Sequence, residues 1–286
     1  MKTRTPTHRA AAMPRRATPP AAGVAARLAA ALSLSAGALA APASAAELVT
    51  LATRSGVTDS VFVNAPAAAP AWVVVLFAGD DGSVALSEAG PARLQGNFVV
   101  RSAPYWPAHG EAYAIVDAPS DNADGMRDTF RLSAEASLDI EKIVAALRGR
   151  YPAAKIALLG TSRGTVTVGN VLKRHPELAD AFVLTSPVTQ ANRSQPGLSG
   201  LGWEGNKARV LVVSNEHDGC EVSPFDSAKQ LAARNGFDFI AVSSSQGGGN
   251  RQADCKAQSP HGFLGIEQRV LDDIDAWLDG RPAPAR

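Results

Sequence analysis

The sequence predicts an α/β protein built on a mostly parallel, doubly wound sheet with helices on both faces. Short apolar runs alternate with amphipathic helical segments along most of the chain. One run, AWVVVLF at 71–77, is apolar at successive positions, as a strand covered on both faces must be. Another, KIALLGTSRG at 155–164, runs out into a serine bracketed by glycines, the pattern of a tight strand-to-helix turn.

The elements follow in chain order. The first stretch carries Arg15 and Arg16, an apolar run from Leu28 to Ala40, and then Ala43-Ser44-Ala45, the small-x-small pattern of a secretory cleavage site. Residues 1–45 are therefore expected to be a signal peptide, with Met13 a plausible start and an Ala/Pro-rich leader of no such role the alternative. The apolar run, roughly 13 residues, is too short for a membrane span of roughly 20. Residues 46–286 are expected to form a single domain. Segments 48–53 and 59–64 are β-rich runs separated by Ser55-Gly56, and they predict an antiparallel opening to the sheet. After 71–77, further strands are expected at 113–116, 155–159, 181–184, 210–213 and 237–242.

Helices are expected between them. In 134–148, Ile140, Ile143, Val144 and Leu147 recur at the spacing of one helix face. In 223–235, Ser223 is a possible cap, Pro224 suits the first turn and Gly236 suits the end. The last helix, 265–279, is expected to bury Ile266, Val270, Ile274 and Trp277 or Leu278. The Ser/Gly-rich stretch 187–207 has room for a modest flap and not for a large cap domain.

Lys and Arg number 28 against 27 Asp and Glu, a formal charge of +1. Without a charge run beyond the leader, nothing points to a nucleic-acid or anionic-membrane partner. The two cysteines, Cys220 and Cys255, form an even pair in a chain expected to be exported, which points to a disulfide rather than a metal site. The expected location is the periplasm or the extracellular space.

Chemistry concentrates at Ser162. A serine hydroxyl is a poor nucleophile unless a turn presents it and a base takes its proton, and Gly160 and Gly164 leave room for such a turn. The base is expected further along the chain. His261, in SPHGF before the last helix, is placed for it, whereas His109, His175 and His217 are not. Among the intervening acids Asp180, Glu216, Asp218, Asp226 and Asp238, Asp218 is preferred because it follows the 210–213 strand, with Glu216 as the fallback. A disulfide between Cys220 and Cys255 would tie the acid loop to the base loop. The oxyanion donors would be the backbone N–H of Arg163 and that of Gly79 or Asp80, in the turn after the 71–77 strand. Tyr105, Trp106 and Trp203 are candidates for a pocket wall or for core packing, the commoner use of such side chains.

GTSRG at 160–164, HDGC at 217–220 and SPHGF at 259–263 together resemble the α/β-hydrolase superfamily, in particular small secreted bacterial serine hydrolases. The resemblance spans about 48–280. It implies the α/β-hydrolase fold with an eight-stranded sheet, Ser162 as nucleophile, His261 as base, Asp218 as acid, and no metal or organic cofactor. Phe77 stands about where lipases and esterases of that superfamily carry a histidine. The expected function is hydrolysis of a short-chain or extended carboxylic ester through an acyl-enzyme. A serine peptidase or amidase is the alternative, and a non-catalytic binding protein on the same fold is the alternative from another class.

Overall fold

The computed structural model describes residues 46–192 and 195–282, so the expected signal peptide lies outside the described residues. Eight strands make the main sheet: β1 (Glu47–Arg54), β2 (Val57–Asn64), β3 (Trp72–Phe77), β4 (Ala112–Val116), β5 (Lys155–Thr161), β6 (Ala181–Thr185), β7 (Val210–Asn215) and β8 (Asp238–Val242). Their spatial order is β1-β2-β4-β3-β5-β6-β7-β8. Strand β2 is antiparallel to both β1 and β4, and all other neighbours are parallel. The expected antiparallel opening and parallel body are both present.

The sheet is covered on both faces because its central strands are apolar on both. In β3, Val73, Val75 and Phe77 join one core with Ile140, Val168 and Leu231, while Trp72, Val74 and Leu76 join the other with Phe98, Val270 and Ile274. The two-residue period of a strand thus sends alternate side chains into two helix layers. One layer holds α1 (Ala134–Arg150), α2 (Gly164–Arg174) and α3 (Phe225–Asn235), and the other holds α4 (Glu267–Leu278).

Helix α1 begins at Ser133, whose side chain accepts from the Ala136 N–H, and its buried stripe includes Ile140, Ile143, Val144 and Leu147 as the periodicity requires. Helix α3 ends at Gly236 in the left-handed region, φ 67°. Its start differs from expectation: Pro224 occupies the cap position and no side chain caps the helix, while Ser223 is buried. In α4, Leu278 rather than Trp277 is the buried member of the expected pair. Among the described residues, no helix is long and apolar enough to cross a membrane.

Candidate active site

The carboxyl edge of the sheet gathers the residues singled out by sequence. Ser162 lies between β5 and α2 with φ 51°, a conformation that a side-chain-bearing residue adopts at a cost of about 1–3 kcal/mol. Its backbone is pinned on both sides: its N–H donates to the Thr185 carbonyl at 3.0 Å, and its carbonyl accepts from the Thr165 N–H at 2.9 Å. The flanking glycines allow the turn. A Cβ on Gly160 would overlap the backbone of Gly164, and one on Gly164 would overlap the Phe77 carbonyl, so α2 packs on β5 and β3 only because both positions lack a side chain.

Asp218 and His261 meet from different loops. Asp218 follows β7, and its N–H donates to the Asn215 carbonyl at 3.0 Å. Its Oδ2 lies 2.9 Å from His261 Nδ1, and Oδ1 accepts the Cys220 N–H at 2.9 Å. The side chains are 0% and 4% exposed, so the pair is shielded from water. A carboxylate accepts only, which fixes the proton on Nδ1 and leaves the Nε2 lone pair free to accept. Nε2 is buried and has no hydrogen-bond partner among the described residues, so no Ser162–His261 bond is closed. Both residues line one cleft of about 350 Å³.

The turn after β3 passes directly beside the serine. A Cβ on Gly79 would lie 2.8 Å from Ser162 Cβ, and Asp80 borders the cleft with φ 52°. Arg163 is the N-cap residue of α2 and also borders the cleft. The backbone N–H groups of Gly79, Asp80 and Arg163 have no acceptor among the described residues. Cys220 and Cys255 are disulfide-bonded and sit in the cleft wall.

No protein-family model matches the chain, and no curated protein matches it in sequence. Solved structures do match. Est1E from Butyrivibrio proteoclasticus aligns over 82% of this chain and 98% of its own, with TM-score 0.58 and 10% identity. XC6422 from Xanthomonas campestris, described as an a/b serine hydrolase without lid, aligns over 84% and 96%, with TM-score 0.54 and 14% identity. The acylaminoacyl peptidase of Pyrococcus horikoshii aligns over 84% of this chain but 42% of its own, with TM-score 0.55 and 11% identity. The chain has the α/β-hydrolase fold.

The competing candidates are exposed or engaged elsewhere. His109 stacks on Tyr105 with ring centroids 3.8 Å apart, His175 pairs with Glu141 at 2.8 Å, and His217 is exposed. Glu216, the fallback acid, is also exposed. Asp180 accepts from the Ile156 N–H, and Asp238 from Trp277 Nε1. Of the two readings of the aromatics, core packing holds: Tyr105 and Trp106 are buried in the α4 layer, with the Tyr105 hydroxyl donating to Asp272. Trp203 is buried in the α2 layer and donates to the Gly169 carbonyl at 3.0 Å. For Trp203 packing wins together with Val188 and Leu198, all three buried. From this stretch Asn192 borders the cleft.

Several residues that shape the candidate site left no sequence signal. Asn215, wholly buried, donates from Nδ2 to the Pro260 carbonyl, while its Oδ1 accepts the N–H groups of His217 and Ser244. It therefore joins the acid loop to the histidine loop. Ser186 donates to the His261 carbonyl at 2.7 Å, and the Ser259 hydroxyl accepts the His261 N–H at 3.2 Å. Their type and position resemble ordinary loop residues, and only the three-dimensional contacts distinguish them.

Proposed function

We propose that this chain is a serine hydrolase acting on carboxylic esters through an acyl-enzyme. The observation that carries the reading is the buried Asp218–His261 pair, 2.9 Å apart, whose histidine faces the same cleft as a serine held at positive φ. In this reading Ser162 Oγ attacks the ester carbonyl as His261 Nε2 takes its proton. Asp218 holds the imidazole tautomer and steadies the imidazolium that forms. The oxyanion is met by the N–H of Arg163 and that of Gly79 or Asp80, which carry no other bond to be broken first. His261 then protonates the leaving alcohol, and water completes the cycle by the same route.

The substrate class follows from the cleft. Leu198 and Trp203 of the stretch after β6 pack into the core and Asn192 borders the cleft, an arrangement that favours short or extended esters over long acyl chains held in a deep tunnel. Export is part of the proposal, supported by the leader pattern of 1–45 and by a disulfide, which persists in oxidising compartments. The test is a panel of p-nitrophenyl esters beside aminoacyl p-nitroanilides, run on wild type and Ser162→Ala. Ester turnover lost in the variant is expected. Turnover of the amides alone would make the enzyme a peptidase, and ester turnover undiminished by the substitution would remove Ser162 from the chemistry.

A further inference from the structure

Behind the site, one short helical turn, 128–131, carries two charged side chains that reach opposite sides of the oxyanion region. Asp128 has a fully buried side chain. Both its oxygens lie within 2.8 Å of Arg163 Nη1, and Oδ2 also accepts the Gly197 N–H at 2.8 Å. Arg131, three residues on, is 1% exposed. Its Nη1 donates to Thr167 Oγ1 at 3.0 Å and its Nη2 to the Asp80 carbonyl at 3.3 Å. The guanidinium also fills the space under Gly82, where a Cβ would overlap it.

Arg131 makes no ion pair with any described residue. Burial pushes its pKa down to about 10, which still leaves it charged at pH 7. Desolvation outweighs the favourable charges of Asp128, Asp81 and Asp80 nearby, and an apolar chain of equal length would pack the same space without that cost. What the charge does here is hold a carbonyl: it fixes the Asp80 peptide in its left-handed conformation, in the turn that passes Ser162. Asp128 does the complementary task at Arg163, the residue directly after the serine.

We propose that the 128–131 turn positions the oxyanion hole, with Arg131 holding the Asp80 turn and Asp128 holding Arg163, so that both backbone donors are fixed before substrate arrives. The inference rests on the reading of Ser162 as nucleophile. Arg131 and Asp128 are positioning residues, because neither borders the cleft. Donors fixed in advance act on charge that develops during reaction, so loosening them lowers kcat and leaves substrate binding nearly intact.

The test compares Arg131→Met, Arg131→Lys and Arg163→Met with wild type on p-nitrophenyl acetate, with phenylboronic acid as a mimic of the tetrahedral adduct. Arg131→Met should lower kcat about 10–100-fold, change KM less than about 3-fold, and weaken the boronate in the same proportion as kcat. Arg131→Lys should recover part of the loss, and Arg163→Met should lower kcat in the same sense. A folded Arg131→Met enzyme with wild-type kcat, or with only KM altered, or with undiminished boronate affinity, overturns the proposal. If Arg131→Met does not fold, unchanged kcat and boronate affinity in the other two variants overturn it. Failure of the nucleophile reading is seen separately, as wild-type activity that persists in Ser162→Ala.

Discussion

Removing the Cys220–Cys255 disulfide separates two consequences that the structure ties together. The bond spans 35 positions in sequence, and it joins the loop of Asp218 to the segment leading into His261. In the chain-entropy model, closing a loop of that length stabilises the fold by about 3–4 kcal/mol. At about 2–4 °C per kcal/mol for a domain of this size, the Cys220→Ala, Cys255→Ala double variant should melt roughly 6–16 °C lower. The second consequence is at the site. The Cys220 N–H donates to Asp218 Oδ1, so freeing Cys220 loosens the carboxylate that orients His261. A displacement of about 1 Å can cost up to about 100-fold in rate, and a fall of at least about 10-fold in kcat/KM is expected at 25 °C, where the variant remains folded. The assay pairs ester turnover with thermal melting followed by circular dichroism, and repeats both on wild type titrated with reductant. Activity should fall before the fold is lost. Full activity in a double variant whose melting point has dropped would refute the orienting role and leave the disulfide a stability staple.

Asn215→Ala removes the link from the acid loop to Pro260 and leaves buried backbone groups unsatisfied; it should cost about 1–3 kcal/mol in denaturant unfolding and lower kcat. Gly164→Ala places a methyl against the Phe77 carbonyl and should destabilise by at least about 1–3 kcal/mol, whereas Gly149→Ala, where a Cβ meets nothing, should not. Glu111 is buried beside Trp72, and burial raises its pKa to about 7, above the value near 4.5 of an exposed glutamate. The folded state therefore holds this proton more tightly than the unfolded one, so its contribution is fully present below pH 4.5 and is lost as pH rises through 7. Glu111→Gln should flatten that part of the stability profile, measured by urea unfolding at several pH values; an unchanged slope would contradict the assignment.

The body of the sheet was legible because its central strands are apolar on both faces. Val73 to Phe77 and Ile156 to Leu159 are buried throughout, and such runs are hard to mistake for surface. The elbow was legible because glycine at 160 and 164 is a steric requirement that sequence displays directly. Asp218 and His261 followed from chain order and loop position, and the structure brings them together. What stayed hidden depends on contacts between distant segments. Asn215, Ser186 and Arg131 act through hydrogen bonds to backbone carbonyls, and a backbone acceptor leaves no trace in the sequence. For Trp203 the preferred packing reading holds, but the partner that fixes it, the Gly169 carbonyl, is equally invisible in the sequence.

The most direct test of the central claim is labelling with a fluorophosphonate, which reacts only with a serine activated by a positioned base. Folded wild-type protein should take up one label, located by peptide mass spectrometry on Ser162, and His261→Ala should slow that uptake by at least about 100-fold. Labelling at another serine, or none in folded protein, would contradict the account.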